Sequence, residues 1–340
     1  MPAVRDFAIT ARLAFVTATV MFALIVVGSI VRTTGSGLAC PDWPLCHGRL
    51  IPPLQFNILI EWFHRLLALV VGLGLLSTAA WTWAHPATRA RLGGLAISSI
   101  ALYLSQALLG ALTVWKLLDP NVVSGHLAVG LLLFATLLTL GLRARQAARA
   151  PEPAPARQAA RATEPAPARR EAHATEPASA RPAGLLPLFA IATAAIWAQA
   201  VLGGMVSTNH ASLACPDWPT CNGRWLPELT GLVGLQMAHR FGAYLLVALL
   251  GWVALRAGSA PDATTRNLGR ALFLLVLAQG AIGVANVLLG IPVWVSALHL
   301  GNAALMLALS LIGTFRLAAM SAGERAGASA PGHAQRMVAR

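Results

Sequence analysis

Four histidines lie inside apolar stretches of the chain, His64, His126, His239 and His299, and they fall into two equivalent pairs. His64 and His239 are offset by 175 positions, His126 and His299 by 173. A single histidine in a membrane span is commonly accounted for by an interhelical hydrogen bond. Two pairs at duplicated positions point instead to ligand pairs. Imidazoles on two facing helices offer axial nitrogens to both sides of a flat metal macrocycle, and small residues beside them, here Gly125, Gly242 and Gly301, leave room for its faces. Zinc suits such pairs less well, because each lacks the third or fourth protein ligand of a zinc site.

Three residues before His64 stands Glu61, on the same helix face and about one turn away. It is the only carboxylate within any of the predicted spans, and its counterpart before His239 is the neutral Gln236. An acid in that environment is costly and marks function by default. Its absence from the second copy makes the two halves chemically unequal and points to the first as the place of chemistry. The plainer reading is an ion pair with Arg65 or Arg32. Arg65 and Arg240, next to the histidines, either pair with carboxylates of a bound macrocycle or snorkel to headgroups.

The third element of the pattern is a loop. Leu38 to Arg49 reads LACPDWPLCHGR and Leu213 to Arg224 reads LACPDWPTCNGR, with ten of twelve positions identical and the first cysteines 175 apart (40 to 215). Cys40 with Cys46, and Cys215 with Cys221, lack a surrounding ligand set, and on an oxidising side of a membrane they favour disulfides over metal sites. Loops closed so tightly are expected to stay accessible to solvent and reductant, which allows a redox role for one pair. A simple staple holding each loop as a lid is the alternative. His47 and His210 have no histidine counterparts and read as surface residues.

Eight apolar segments must position these groups. With 57% hydrophobic and 11% charged residues, the chain lies far from the roughly one-quarter charge of soluble domains. Spans of about 20 apolar residues are placed near 13–31, 60–83, 94–117, 121–142, 184–206, 233–256, 270–290 and 294–316. The net charge of +13 would suit a nucleic-acid binder, but the arginines concentrate in the tails and even-numbered loops. That is the positive-inside pattern: both termini cytoplasmic, both cysteine loops extracytoplasmic, the basic balance a matter of topology, and no nucleic acid as partner.

Residues 143–182, rich in Ala, Pro, Arg and Glu, read as a disordered cytoplasmic linker; His173 lies in it without a role. The expected architecture is an all-α membrane protein, eight transmembrane helices arranged as two parallel-repeat four-helix bundles. The N-terminal half covers 1–142, the C-terminal half 183–317 and a cytoplasmic tail 318–340. Gln106 and Gly110 repeat as Gln279 and Gly283, at the offset of the second histidines. An even number of spans per half gives both halves the same orientation and puts equivalent residues at one depth.

The EWFHR segment (Glu61 to Arg65), the ACPDWPLC loop, the duplicated four-span halves and the four histidines together resemble the haem A synthase family, in its bacterial type with two extracytoplasmic cysteine pairs. The resemblance implies a bacterial cell-membrane enzyme that oxidises the C8 methyl group of haem O to a formyl group, giving haem A for terminal oxidases. It implies His64 and His126 as ligands of the substrate haem, and His239 and His299 as axial ligands of a resident haem b. It further implies Glu61 as the essential acid, Cys40 and Cys46 as a pair involved in activity, and Cys215 and Cys221 as mainly structural. Haem O and the lipid bilayer are then the immediate partners; a haem O synthase and an electron acceptor would complete the setting. Two other readings remain: a di-haem electron-transfer cytochrome without substrate chemistry, and a transporter built on the repeat.

Overall fold

The computed structural model of the chain describes residues 2–149 and 184–328. These contain eight long helices: α1 Pro2–Thr33, α2 Phe56–Ala84, α3 Pro86–Trp115, α4 Pro120–Arg149, α5 Leu185–Thr208, α6 Gly231–Gly258, α7 Ala263–Leu288 and α8 Val293–Ala328. All eight are long and apolar enough to cross a bilayer. A helix satisfies every backbone group within its own segment, so it is the form such sequences take where water is absent. The chain starts helices where its chemistry permits. Pro86 and Pro120 each occupy a first helical position, where no N–H is needed. Asp119 accepts from the amides of Asn121 and Val122, and Asp262 accepts from Thr265 N at 2.8 Å.

The helices exceed the expected spans at most ends. Hydropathy registers only the apolar middle of a helix, whereas polar turns beyond it, such as Arg5 in α1 and Arg143 to Arg149 in α4, continue the same hydrogen bonding. The first seven residues of the stretch read as a linker are therefore helical, and the rest of it, His173 included, lies outside the described residues.

Within the first half α1 packs on α2 and α4, and α3 on α2 and α4; within the second α5 packs on α6 and α8, and α7 on α6 and α8. Equivalent helices use equivalent joints. Phe15 of α1 lies over Gly141 of α4, where a β-carbon would come within 2.9 Å of the ring, and Phe189 of α5 lies over Gly313 of α8 in the same manner. The halves meet through α1 with α8 and α4 with α5. One continuous core, including Met21, Leu24, Phe134, Phe189, Ile196, Leu250 and Met306, runs across that seam. Leu73, Leu104, Leu108, Leu245, Leu255 and Leu274 face outward, as a lipid-facing surface requires.

At the end opposite the loops, Asp6 is a buried acid inside α1, beyond the segment expected to span, with His85 Nε2 3.9 Å away. At the loop end, short 3-10 turns at Ser36–Leu38 and Ala211–Leu213 lead each chain out of α1 and α5 into the cysteine loops.

Candidate functional site

Each loop is a small hairpin closed by chemistry written in its sequence. Cys46 and Arg49 exchange backbone hydrogen bonds, as do Cys221 and Arg224. The two residues between them, His47–Gly48 and Asn222–Gly223, all have positive φ (55°, 69°, 52°, 74°). That is the demand of a type I′ turn, which Asn-Gly meets best. Asp42 accepts from the amides of His47 and Gly48 at 2.6 and 2.7 Å, and Asp217 from those of Asn222 and Gly223 at 2.6 and 2.9 Å. Thr220 Oγ1 adds a further short hydrogen bond to Asp217. These donors hold both carboxyls below the ordinary aspartate range: the Thr220 hydroxyl and then the Gly223 amide bring Asp217 to about 2, and Gly48 leads for Asp42.

The disulfides Cys40–Cys46 and Cys215–Cys221 are formed, as expected. Their expected exposure is not found: all four cysteines are buried, because each loop folds back over its own disulfide and onto the following helix. His47, read as a surface residue without a counterpart, is exposed but has one in function. Its Nε2 lies 2.9 Å from Ala39 O, and Asn222 Nδ2 donates to Ala214 O at 3.1 Å. His210, with φ of 57°, occupies the left-handed position that Gly35 fills in the first half, and it borders the cavity described below.

Arg65 and Arg240 rise from α2 and α6 into these loops. Arg65 donates through Nη1 to Asp42 O and Leu45 O, both at 2.6 Å, and through Nη2 to Cys40 O at 2.9 Å and Glu61 Oε1 at 2.6 Å. Arg240 donates to Thr220 O at 2.9 Å, Cys215 O at 2.7 Å and Asp217 O at 2.9 Å. Each guanidinium thus threads its loop like a peg, with the terminal donors turned to protein carbonyls. Glu61, 4% exposed, accepts from Arg65 and from the Cys40 amide at 2.8 Å. Gln236, also buried, reaches only Ser212 O among the described residues, at 3.3 Å.

Below the loops the four histidines converge on one cavity of about 1780 Å³, lined from both halves. Pockets for drug-sized ligands run from about 300 to 1,000 Å³, so this space suits more than one large planar ligand. Each histidine stands against a glycine of the preceding helix. A β-carbon at Gly28, Gly110, Gly203 or Gly283 would lie 3.0, 3.2, 2.8 or 3.0 Å from Cε1 of His64, His126, His239 or His299 respectively. Gly125 meets nothing, Gly242 abuts Gln199 and Gly301 abuts Val26, so the glycines in contact with the imidazoles are others than those beside them in the chain.

One turn before three of these notches stands a glutamine directed at the histidine. Gln106 Nε2 is 3.2 Å from His126 Nε2, Gln199 Nε2 is 3.0 Å from His239 Nδ1, and Gln279 Nε2 donates to His299 O at 3.0 Å. At the fourth place, beside His64, stands Leu24.

The residues fit a metal macrocycle. Nδ1 of His64, His126 and His299 is buried beside the glycine of the preceding helix, which leaves Nε2 as the nitrogen that each ring can offer to a ligand. The ring centroids of His239 and His299 are 6.5 Å apart. Two metal–nitrogen bonds of about 2 Å each, plus the reach from each nitrogen to its ring centre, account for a gap of that size.

The family model of the COX15-CtaA cytochrome oxidase assembly proteins matches residues 11–311, from the first span to the last. The chain belongs to the COX15-CtaA family. Among similar proteins of known name are the haem A synthases of Shewanella oneidensis and Symbiobacterium thermophilum. The first is 29% identical over 85% of this chain and 91% of the relative, the second 30% identical over 77% and 81%. That of Halalkalibacterium halodurans is 29% identical over 82% of this chain and 87% of its own length.

In this COX15-CtaA family member, Glu61, His64, His126, His239, His299, Arg65 and Arg240 all border the cavity, and so does Cys46. Cys40, Cys215 and Cys221 lie behind that surface. Reading residue types alone missed Gly28 and Gly203. The signal was present, since both precede their histidine by 36 positions, and Gln199-x3-Gly203 repeats the Gln106-x3-Gly110 pattern.

Proposed function

We propose that this chain is a haem A synthase: it oxidises the C8 methyl group of haem O to a formyl group in the first half, between His64 and His126. Haem b is held in the second half between His239 and His299. The observation that carries the assignment of halves is the exchange of Glu61 for Gln236 beside histidines at equivalent positions. An electron-transfer cytochrome needs no acid in one half alone, and a methyl oxidation that releases protons does.

Haem b, when bound, supplies a one-electron relay. The rest falls to the chain. His64 and His126 orient the substrate, and the glycine notches set how close each ring stands to it. Glu61 is the proton acceptor, held in place by the Cys40 amide and Arg65 rather than free to turn away. The loop above packs on the following helix and covers this end of the site. Cys46 borders the cavity whereas Cys215 and Cys221 do not, which supports a part in turnover for the Cys40–Cys46 pair and a structural part for the other. With Arg65 and Arg240 pegged into the loops, any contact they make to propionates comes from their flanks. On this reading the loops face the extracytoplasmic side of a bacterial cell membrane and both termini the cytoplasm. Haem O arrives from a haem O synthase and electrons leave to a separate acceptor.

The test is pigment extraction from protein purified from a haem O-producing host. Wild type should yield haem b with haem O or haem A, and Glu61→Gln should retain bound haem while yielding no haem A. Normal haem A from that variant, or extracts holding haem b alone from both, would overturn the assignment.

A further inference from the structure

The substrate proposed above carries two propionates, and the two arginines nearest the histidines have most of their terminal donors on loop carbonyls and, for Arg65, on Glu61. Another cation is better placed. Arg32, in the last turn of α1, is partly buried and borders the same cavity as His64 and Glu61. Its guanidinium makes no hydrogen bond or ion pair with any described residue. Arg49 also borders the cavity but is exposed, where water solvates its charge. At the position equivalent to Arg32, the second half has Ser207, likewise on the cavity wall. An unpaired guanidinium partly withdrawn from water, with five donors and no acceptor, is matched by a carboxylate of the ligand.

We propose that Arg32 binds a propionate of the substrate haem in the first half and so fixes which edge of the macrocycle faces Glu61. Arg32 is a positioning residue, since it holds the substrate without touching the methyl group. The second half needs no such choice, because a relay haem works either way round, and Ser207 is consistent with that. The inference rests on the haem A synthase reading. The simpler role for Arg32 is a favourable charge at a helix C-terminus, which would be felt with or without ligand.

The test titrates purified wild type, Arg32→Gln and Arg32→Lys with haem and with haem dimethyl ester, whose propionates are masked, following the Soret band. His64→Ala identifies which part of the signal belongs to the first site. In Arg32→Gln, haem should bind about tenfold more weakly or worse at the His64-dependent site, the ester as in wild type, and the second site should be unchanged. Arg32→Lys should recover part of the preference for free propionates. Equal binding of haem by Arg32→Gln and wild type would overturn the proposal. So would an equal loss for haem and ester together with a lower melting temperature, the mark of a structural charge. A wild type with no His64-dependent haem signal would instead overturn the reading of the first half as a haem site.

Discussion

The backbone amide of Cys40 donates to Oε2 of Glu61 at 2.8 Å, which makes the buried acid of the first half and the disulfide loop above it one hydrogen-bonded unit. Arg65 closes the unit by donating to both Glu61 and the Cys40 carbonyl. Among the described residues lining the cavity, Glu61 is the only acid, and it is held at the loop by two donors at once.

Glu61→Gln should separate fold from chemistry. A glutamine oxygen still accepts from the Cys40 amide, and Gln236 shows that the amide is tolerated at this place in the second half. The variant should melt within a few degrees of wild type while haem A formation falls at least about 100-fold, the scale of a lost general base. Melting in detergent and pigment analysis check the two halves of that statement.

Arg240→Met should destabilise the second loop by about 2–3 kcal/mol, because three carbonyls lose their donor and one of those bonds is buried. Arg240→Lys should restore only part of this, since an ammonium cannot fork across the loop as a guanidinium does. Denaturant titration, with faster proteolysis between 213 and 229 as a local readout, measures it.

The glycine notches predict a size limit. Gly203→Ala places a β-carbon 2.8 Å from His239 Cε1, so the ring must move, and on the proposed assignment haem b should be largely lost from purified protein. Gly94→Ala is the control: its β-carbon would meet nothing within 4 Å beyond the helix's own adjoining backbone, and alanine favours the helix by up to about 1 kcal/mol. The ratio of Soret absorbance to protein reports both.

Loop order should survive acid well below neutrality. Asp217 is depressed to about 2, from an unfolded value of about 3.9. A depressed carboxyl stabilises fully above its unfolded pKa and loses that contribution as pH falls through its folded one. Fluorescence of Trp218 and Trp225 in the loop should stay flat from pH 7 to about 4 and change between about 4 and 2; Asp217→Asn should remove that acid transition.

Much of this was legible in the chain because duplication turns weak signals into paired ones. Any one of the four histidines is ambiguous, but their offsets of 175 and 173 mark the duplication that the helices and loops repeat. What stayed hidden depended on direction rather than identity. Arg65 and Arg240 stand at the right depth for a ligand carboxylate, yet the loop carbonyls take their donors, and spacing along one helix cannot reveal what a separate loop offers. Gly125 and Gly301 are near histidines in sequence, whereas the glycines that matter sit on the neighbouring helix. The burial of the disulfides followed from the fold of a loop too short for periodicity to describe.

The seam between α4 and α5 has a consequence for how the protein is put together. Ser124 and Thr208 share a hydrogen bond at 2.8 Å, Trp197 Nε1 donates to Ala128 O at 3.2 Å, and a β-carbon on Gly204 would come within 2.5 Å of Leu127. Helices that fit this closely need no covalent tether to find each other. Two separate polypeptides, one ending near Arg149 and one beginning near Gly184, should therefore associate when made in the same cell and purify together on a tag carried by only one of them.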